Sequence, residues 1–183
     1  MDGVSAGFLP PAPSAWTFTL LAVLVLGAAS DLRCAKIPNW LTYSAMAGGL
    51  LLHTTQHGLS GLSQSAGGLL MGIALFLAFY LLGGMGAGDV KFMGAVGSWL
   101  GLSGVLSAAV VTTLLGGAYA VATAIRHWGI GTGVRRILSP SLAWALTGRL
   151  RLALAPPETQ PKLRYGVAIA IGTAVAQWWE GRF

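Results

Sequence analysis

The chain has 183 residues, of which 55% are hydrophobic and only 9% charged, and its mean hydropathy is +0.71. That balance excludes an ordinary soluble domain, whose apolar share is roughly 45–50% even with glycine counted, and predicts an all-α polytopic membrane protein. The net charge of +6 would suit nucleic acid, but here it reads as basic residues gathered in cytoplasmic loops, with no nucleic-acid partner.

Residues 1–15 are Pro-rich and read as a short irregular tail. They carry no Lys or Arg ahead of the apolar run, so a cleaved signal peptide is not expected. Residues 16–183 form one transmembrane domain. Helix 1 is expected from Trp16 to Ser30 and ends in the polar stretch Asp31–Asn39. Pro38 lacks an N–H and biases Ile37 away from helix, so the chain breaks there. Asn39 is the expected N-cap of helix 2, Trp40 to His53. A polar stretch, His53 to Ser65, precedes helix 3, Ala66 to Leu82. The glycine-rich segment Gly83–Gly88 follows, then a short helix 4 (Val90 to Leu100), helix 5 (Ser103 to Ile125), a basic cytoplasmic loop (126–164) and helix 6 (Tyr165 to Trp179). Within the loop, residues 135–152 mix apolar and basic side chains, as a segment lying in the headgroup plane would. An ordinary cytoplasmic loop is the alternative.

These about six spans can be oriented by charge. With the Asp31–Asn39 loop inside, ten of the eleven Lys and Arg residues fall inside, and only Arg182 falls outside. The positive-inside rule selects this orientation. It puts Asp31 and Asp89 at the same, cytoplasmic, membrane face. An acid at a bilayer centre costs roughly 2.5–3.5 kcal/mol on insertion scales. Of the chain's five acids, Asp2 and Glu180 lie near the termini and Glu158 lies in the loop, so Asp31 and Asp89 stand out.

Asp89 closes the stretch Gly86-Ala87-Gly88-Asp89. The dinucleotide fingerprint fails here, because Asp89 or Lys91 falls where its third glycine belongs. The phosphate loop fails because Asp89 stands where it needs Lys. Taken singly, Asp89 reads equally well as a helix N-cap and Asp31 as the end of a span. Taken together, two carboxylates at one face suggest a shared proton: one acts as general base on a water, and the other, protonated, polarises a carbonyl. That chemistry calls for no metal and no cofactor. The single Cys34 excludes an internal disulfide and a multi-cysteine zinc site. His53 and His57 are expected on the opposite side and His127 in the loop.

The segment Asp31-Leu32-Arg33-Cys34-Ala35-Lys36-Ile37-Pro38-Asn39-Trp40-Leu41-Thr42 resembles the D-x-x-x-x-x-I-P-N-x-L-T signature of type IV prepilin peptidases. Gly84-Met85-Gly86-Ala87-Gly88-Asp89-Val90-Lys91 resembles that family's G-x-G-A-G-D-x-K. Leu163-Arg164-Tyr165-Gly166-Val167-Ala168-Ile169-Ala170 resembles its last-helix motif, with Arg164 and Val167 where prolines are usual. The short form is most similar to the CpaA/TadV branch. The longer relatives carry Cys-x-x-Cys pairs in a zinc-binding insert and also N-methylate the product; this chain is not expected to methylate.

The resemblance implies an aspartic endopeptidase of the bacterial inner membrane. Asp31 and Asp89 would be the catalytic dyad, acting through an activated water. The substrate would be a prepilin or pseudopilin precursor, cut on the cytoplasmic side after its basic leader. Pilus-assembly or secretion machinery would be a further partner, beside the lipid bilayer. Gly86 and Gly88 would let the substrate backbone approach. Lys91, Arg33 and Lys36 would hold the substrate or tune the acids, or serve only as positive-inside anchors. A proton or cation transporter is disfavoured, because no acid or His lies deep in the other spans. A non-enzymatic assembly subunit would also explain Gly48-Gly49, Gly67-Gly68, Gly72, Gly97, Gly101 and Gly116-Gly117, since such residues suit close helix packing. A presenilin-like protease shares the Gly-x-Gly-Asp idea, but Ile37-Pro38-Asn39 favours the prepilin branch.

Overall fold

The computed structural model describes residues 15–81, 85–128 and 164–181. Among these the protein is all helical. Its helices are α1 (Ala15–Cys34), α2 (Asn39–Leu81), α3 (Ala87–Trp128) and α4 (Tyr165–Trp179). Three stretches are long and apolar enough to cross a membrane: Trp16–Cys34, Asn39–Leu81 and Ala87–Thr123. Residues 1–14 and 135–152, read from the sequence as a tail and as either a headgroup-plane segment or an ordinary loop, lie outside the described residues.

Two of the four helices are interrupted. Gly58 has φ 60° and ψ −140° inside α2, and Gly101 has φ 68° and ψ −172° inside α3. Positive φ of this kind is cheap only for glycine. The expected non-helical stretch from His53 to Ser65 therefore shrinks to one residue, with helix on both sides of it. Past Gly58 the chain folds back: a Cβ on Gly61 would collide with the His53 carbonyl, eight residues earlier. No straight helix brings positions so far apart together, because eight residues rise about 12 Å.

Contacts fix how the segments run. Gly68 lies against the Gly97 carbonyl and Gly72 against that of Met93, so the second half of α2 runs antiparallel to the start of α3. Met46 lies against Gly94, Gly49 against Ser98 and His53 against the Trp99 carbonyl, with the Trp99 indole N–H reaching back to donate to the Ala45 carbonyl at 2.8 Å. The first half of α2 thus runs parallel to the same segment. Beyond Gly101, α3 runs antiparallel to α4: Thr112 packs on Gly172, and Tyr165 and Ala168 on Gly116. The start of α3 is central, with Phe92, Met93, Ala95 and Val96 fully buried.

In lipid the helices gain little by hiding apolar surface from one another, so close approach of small residues supplies much of the association. Gly48, Gly49, Gly68, Gly72, Gly97 and Gly116 make such contacts, whereas Gly67 and Gly117 face open space. The segment of α3 before Gly101, residues 87–100, and the 15-residue α4 are both short. At 1.5 Å per residue each is about 21–23 Å long.

The connections at one end differ from the expected ones in two ways. Helix α1 runs to Cys34, so Asp31 lies inside its last turn rather than in the loop. The turn closes through Ala35, at φ 49°, whose N–H donates to the Asp31 carbonyl at 2.9 Å. Asn39 is not the N-cap of α2. The Pro38 carbonyl accepts the first bonds, from Leu41 at 3.1 Å and Thr42 at 3.3 Å, so Pro38 holds the cap position and the Asn39 side chain is free for other work. At the other gap, α3 continues through Trp128, three residues past its expected end at Ile125.

Candidate active site

Asp31 and Asp89 are buried, 5% and 7% exposed, although the surrounding chain is poor in charge. Asp89 is the third residue of α3. Its Oδ2 accepts from the Gly86 N–H at 3.1 Å, and the Asp89 N–H donates to the Gly86 carbonyl at 3.1 Å. This is the reach-back half of a capping box, with the acid on the third residue rather than at the cap itself. Only one carboxylate oxygen is used in that bond.

Asp31 is held differently. The N–H groups of Gly166 and Val167, in the first turn of α4, face its carboxylate, and the Arg164 guanidinium contributes its charge from the same side. First-turn N–H groups have no partner within their own helix and carry positive partial charge. A Cβ on Gly166 would stand 2.9 Å from Asp31 Cβ and 3.0 Å from Oδ2, so only glycine lets the α4 backbone come so near. No hydrogen bond of good geometry reaches Oδ2, which is buried without a partner among the described residues.

The two acids share one site. The charge of Asp31 acts on Asp89, and that of Asp89 acts on Tyr165. Packing brings them to the same end: Gly27, one turn before Asp31, lies against the Phe92 ring, three residues after Asp89, and Gly166 lies against Asp31 itself. Asp31, Asp89 and the first turn of α4 therefore make one cluster at one end of the bundle. His53 lies at the other end, its Nε2 donating to the Trp99 carbonyl at 2.9 Å.

The remaining expected site residues surround this cluster unevenly. Gly86 is exposed, and Gly88 is partly covered by Ile37, whose atoms lie 3.7–3.8 Å from where a Gly88 Cβ would be. Arg33 and Lys36 are exposed on the rim, as is Cys34. Lys91 is half-buried; its Nζ donates to Asn39 Oδ1 at 3.1 Å and lies 5.3 Å from the centre of the Tyr43 ring. Among the described residues no three His, Cys, Asp or Glu side chains are grouped so as to hold a metal ion.

Two hollows flank the start of α4. A small cavity of about 60 Å³ lies between Tyr165, Met85 and the two phenylalanines Phe76 and Phe79. An open apolar groove of about 300 Å³ lies on the other side, between Leu32, Leu115, Val167 and Ile171, with Arg164 and Tyr119 on its wall. Sequence reasoning missed Tyr165 and Gly166 as parts of the site. Their signal was present in the Tyr165-Gly166 pair of the last-helix resemblance.

The fold and site define a helical membrane protein with two buried carboxylates at one end. The model of the type IV leader peptidase family matches residues 18–121, and the chain belongs to that family. The matched stretch includes both Asp31 and Asp89 and ends before α4. No curated protein and no solved structure matches the chain.

Proposed function

We propose that this leader peptidase is an aspartic endopeptidase that removes the basic leader of type IV pilin-like precursors at the cytoplasmic face of the inner membrane. The observation that carries the reading is that two acids 58 positions apart in the chain are both buried, at ends of α1 and α3 that pack together through Gly27 and Phe92. Each of the six helical segments is taken to cross the bilayer, and the basic-residue count puts the Asp31–Asp89 end inside.

The reaction needs one ionised and one protonated carboxyl, as two neighbouring carboxylates naturally supply. The ionised group takes a proton from a water, and the water oxygen attacks the scissile carbonyl carbon. The protonated group gives its proton to the carbonyl oxygen. The tetrahedral intermediate then collapses: the C–N bond breaks, and the leaving nitrogen takes a proton from the acid that received the water's. The carbonyl re-forms and its proton returns to the other acid, so the pair ends as it began. Exposed Gly86 offers the substrate a backbone edge beside Asp89. Arg33 and Lys36 on the rim hold the substrate or the headgroups. The product passes to pilus-assembly or secretion machinery.

The test is cleavage of candidate prepilins from the same organism, in membranes, by wild type beside Asp31→Asn and Asp89→Asn. Both variants should insert and be inactive; cleavage retained by either removes it from the dyad. A reporter fused after Ala155 should read cytoplasmic, and a periplasmic reading would overturn the orientation.

A further inference from the structure

Lys91 follows Asp89 by two residues, and side chains so spaced on a helix point to different faces. It therefore projects away from the dyad. A lysine at a membrane edge ordinarily extends its ammonium into water. This one instead donates to Asn39 Oδ1 at 3.1 Å and lies over the Tyr43 ring at 5.3 Å. Both partners belong to the first turns of α2. The ammonium thus joins the start of α3, which carries Asp89, to the start of α2.

That join matters because of what precedes α2. Asn39 follows Pro38, and the loop before it returns directly to Asp31. The Ser30 hydroxyl donates to the Lys36 carbonyl at 3.0 Å, and Ala35 N–H donates to the Asp31 carbonyl. The loop is thereby tied to the turn that holds Asp31. On its other side, Ile37 rests on Gly88, next to Asp89. The route from one acid to the other accordingly runs along the loop to Asn39, across to Lys91, and back along one turn of α3.

We propose that Lys91 is a positioning residue for the peptidase: its bond to Asn39, backed by the Tyr43 ring, holds the Asp89 turn in register with the loop that carries Asp31. The proposal rests on the dyad reading above for its kinetic consequence, but its structural consequence stands apart from that reading. An exposed hydrogen bond of this sort does little for global stability. Its effect falls on the spacing of two reacting groups, where a displacement of about 1 Å can cost roughly a hundredfold in rate.

The experiment compares Lys91→Met, Lys91→Arg, Asn39→Leu and the double variant Lys91→Met/Asn39→Leu in prepilin cleavage. Thermal midpoints in detergent are measured alongside. Expected are a roughly ten- to hundredfold fall in kcat for Lys91→Met, a similar fall for Asn39→Leu, and a double variant no worse than either single one. KM and the thermal midpoint should barely change. Lys91→Arg keeps a donor and a cation over Tyr43, and should retain most of the rate. A raised KM with unchanged kcat, normal turnover by Asn39→Leu, or losses that multiply in the double variant would overturn the proposal.

A second readout is independent of activity. Nitroxide labels at Lys36 and Ala87, on a Cys34→Ser background, should give a narrow distance distribution that broadens in Lys91→Met. An unchanged distribution overturns the clasp even if the dyad is right. A broadened one supports it even if Asp31→Asn still cleaves, in which case only the catalytic reading fails.

Discussion

Asp89 and Asp31 are both buried acids in a membrane protein, yet they are built in opposite ways. Asp89 is fixed by its own neighbourhood: three residues back, Gly86 supplies the N–H that holds one of its oxygens. Asp31 has no such local partner. What surrounds its carboxylate arrives from the far end of the sequence, on the first turn of α4. One acid is placed by secondary structure and the other by tertiary packing. The first is robust to changes elsewhere in the chain, whereas the second exists only once α4 has docked.

The sharpest way to break this comparison is to remove each charge in turn. Asp31→Asn and Asp89→Asn should each reduce cleavage by at least the 10²–10⁴-fold typical of a lost general acid or base, measured as initial rates on a prepilin. A tolerated substitution at one position would show that the two acids do not share the chemistry. Next comes Gly166→Ala. Its new Cβ would stand 2.9–3.1 Å from three Asp31 side-chain atoms, so cleavage should fall roughly ten- to hundredfold while Gly86-dependent capping of Asp89 stays intact. Full activity would mean that Asp31 does not depend on α4.

Packing variants should act on stability instead. Gly68→Ala would drive a methyl into the Gly97 carbonyl, and backbone cannot rotate away as a side chain can. The expected loss is about 1–3 kcal/mol, read as a lower thermal midpoint in detergent. The smallest effect belongs to Gly88→Ala, whose Cβ would meet Ile37 only at ordinary distances of 3.7 Å and beyond. Stability should rise by at most about 1 kcal/mol, since alanine is the better helix former. Lost cleavage without lost stability there would identify Gly88 as a place where the substrate backbone passes.

The contrast between the acids also explains what could be read from the sequence. Asp89 was legible because its glycines, its helix start and its cap lie within four residues. The expectation that Asp31 and Asp89 share a face came from counting basic residues between loops. The contribution of Gly166 and Tyr165 was signalled only by the last-helix resemblance, because nothing in their local composition or spacing announces a carboxylate facing them. The fold shows the same division. All-helical structure and the locations of the apolar runs follow from composition. The reduction of a polar stretch to the single break at Gly58 does not, because 27 glycines offer many equivalent candidates and only packing chooses among them. Asn39 is instructive as well: its residue type fits a cap, but the Pro38 carbonyl took that position and left the amide to meet Lys91.

The short segments have a consequence for the surrounding lipid. A bilayer core is about 30 Å thick, while α4, at 15 residues, and the stretch of α3 before Gly101 fall several ångströms short. These two elements carry the groups that meet at Asp31 and Asp89. If each crosses the bilayer as proposed, lipid beside them thins or the segments sit unevenly in depth, at a cost of a fraction of a kcal/mol per ångström of mismatch. Local thinning would bring the water boundary toward the site where the proposed reaction takes up a water. Reconstitution in lipids of graded chain length therefore becomes a functional variable: cleavage should be fastest in thin bilayers and slow as the acyl chains lengthen.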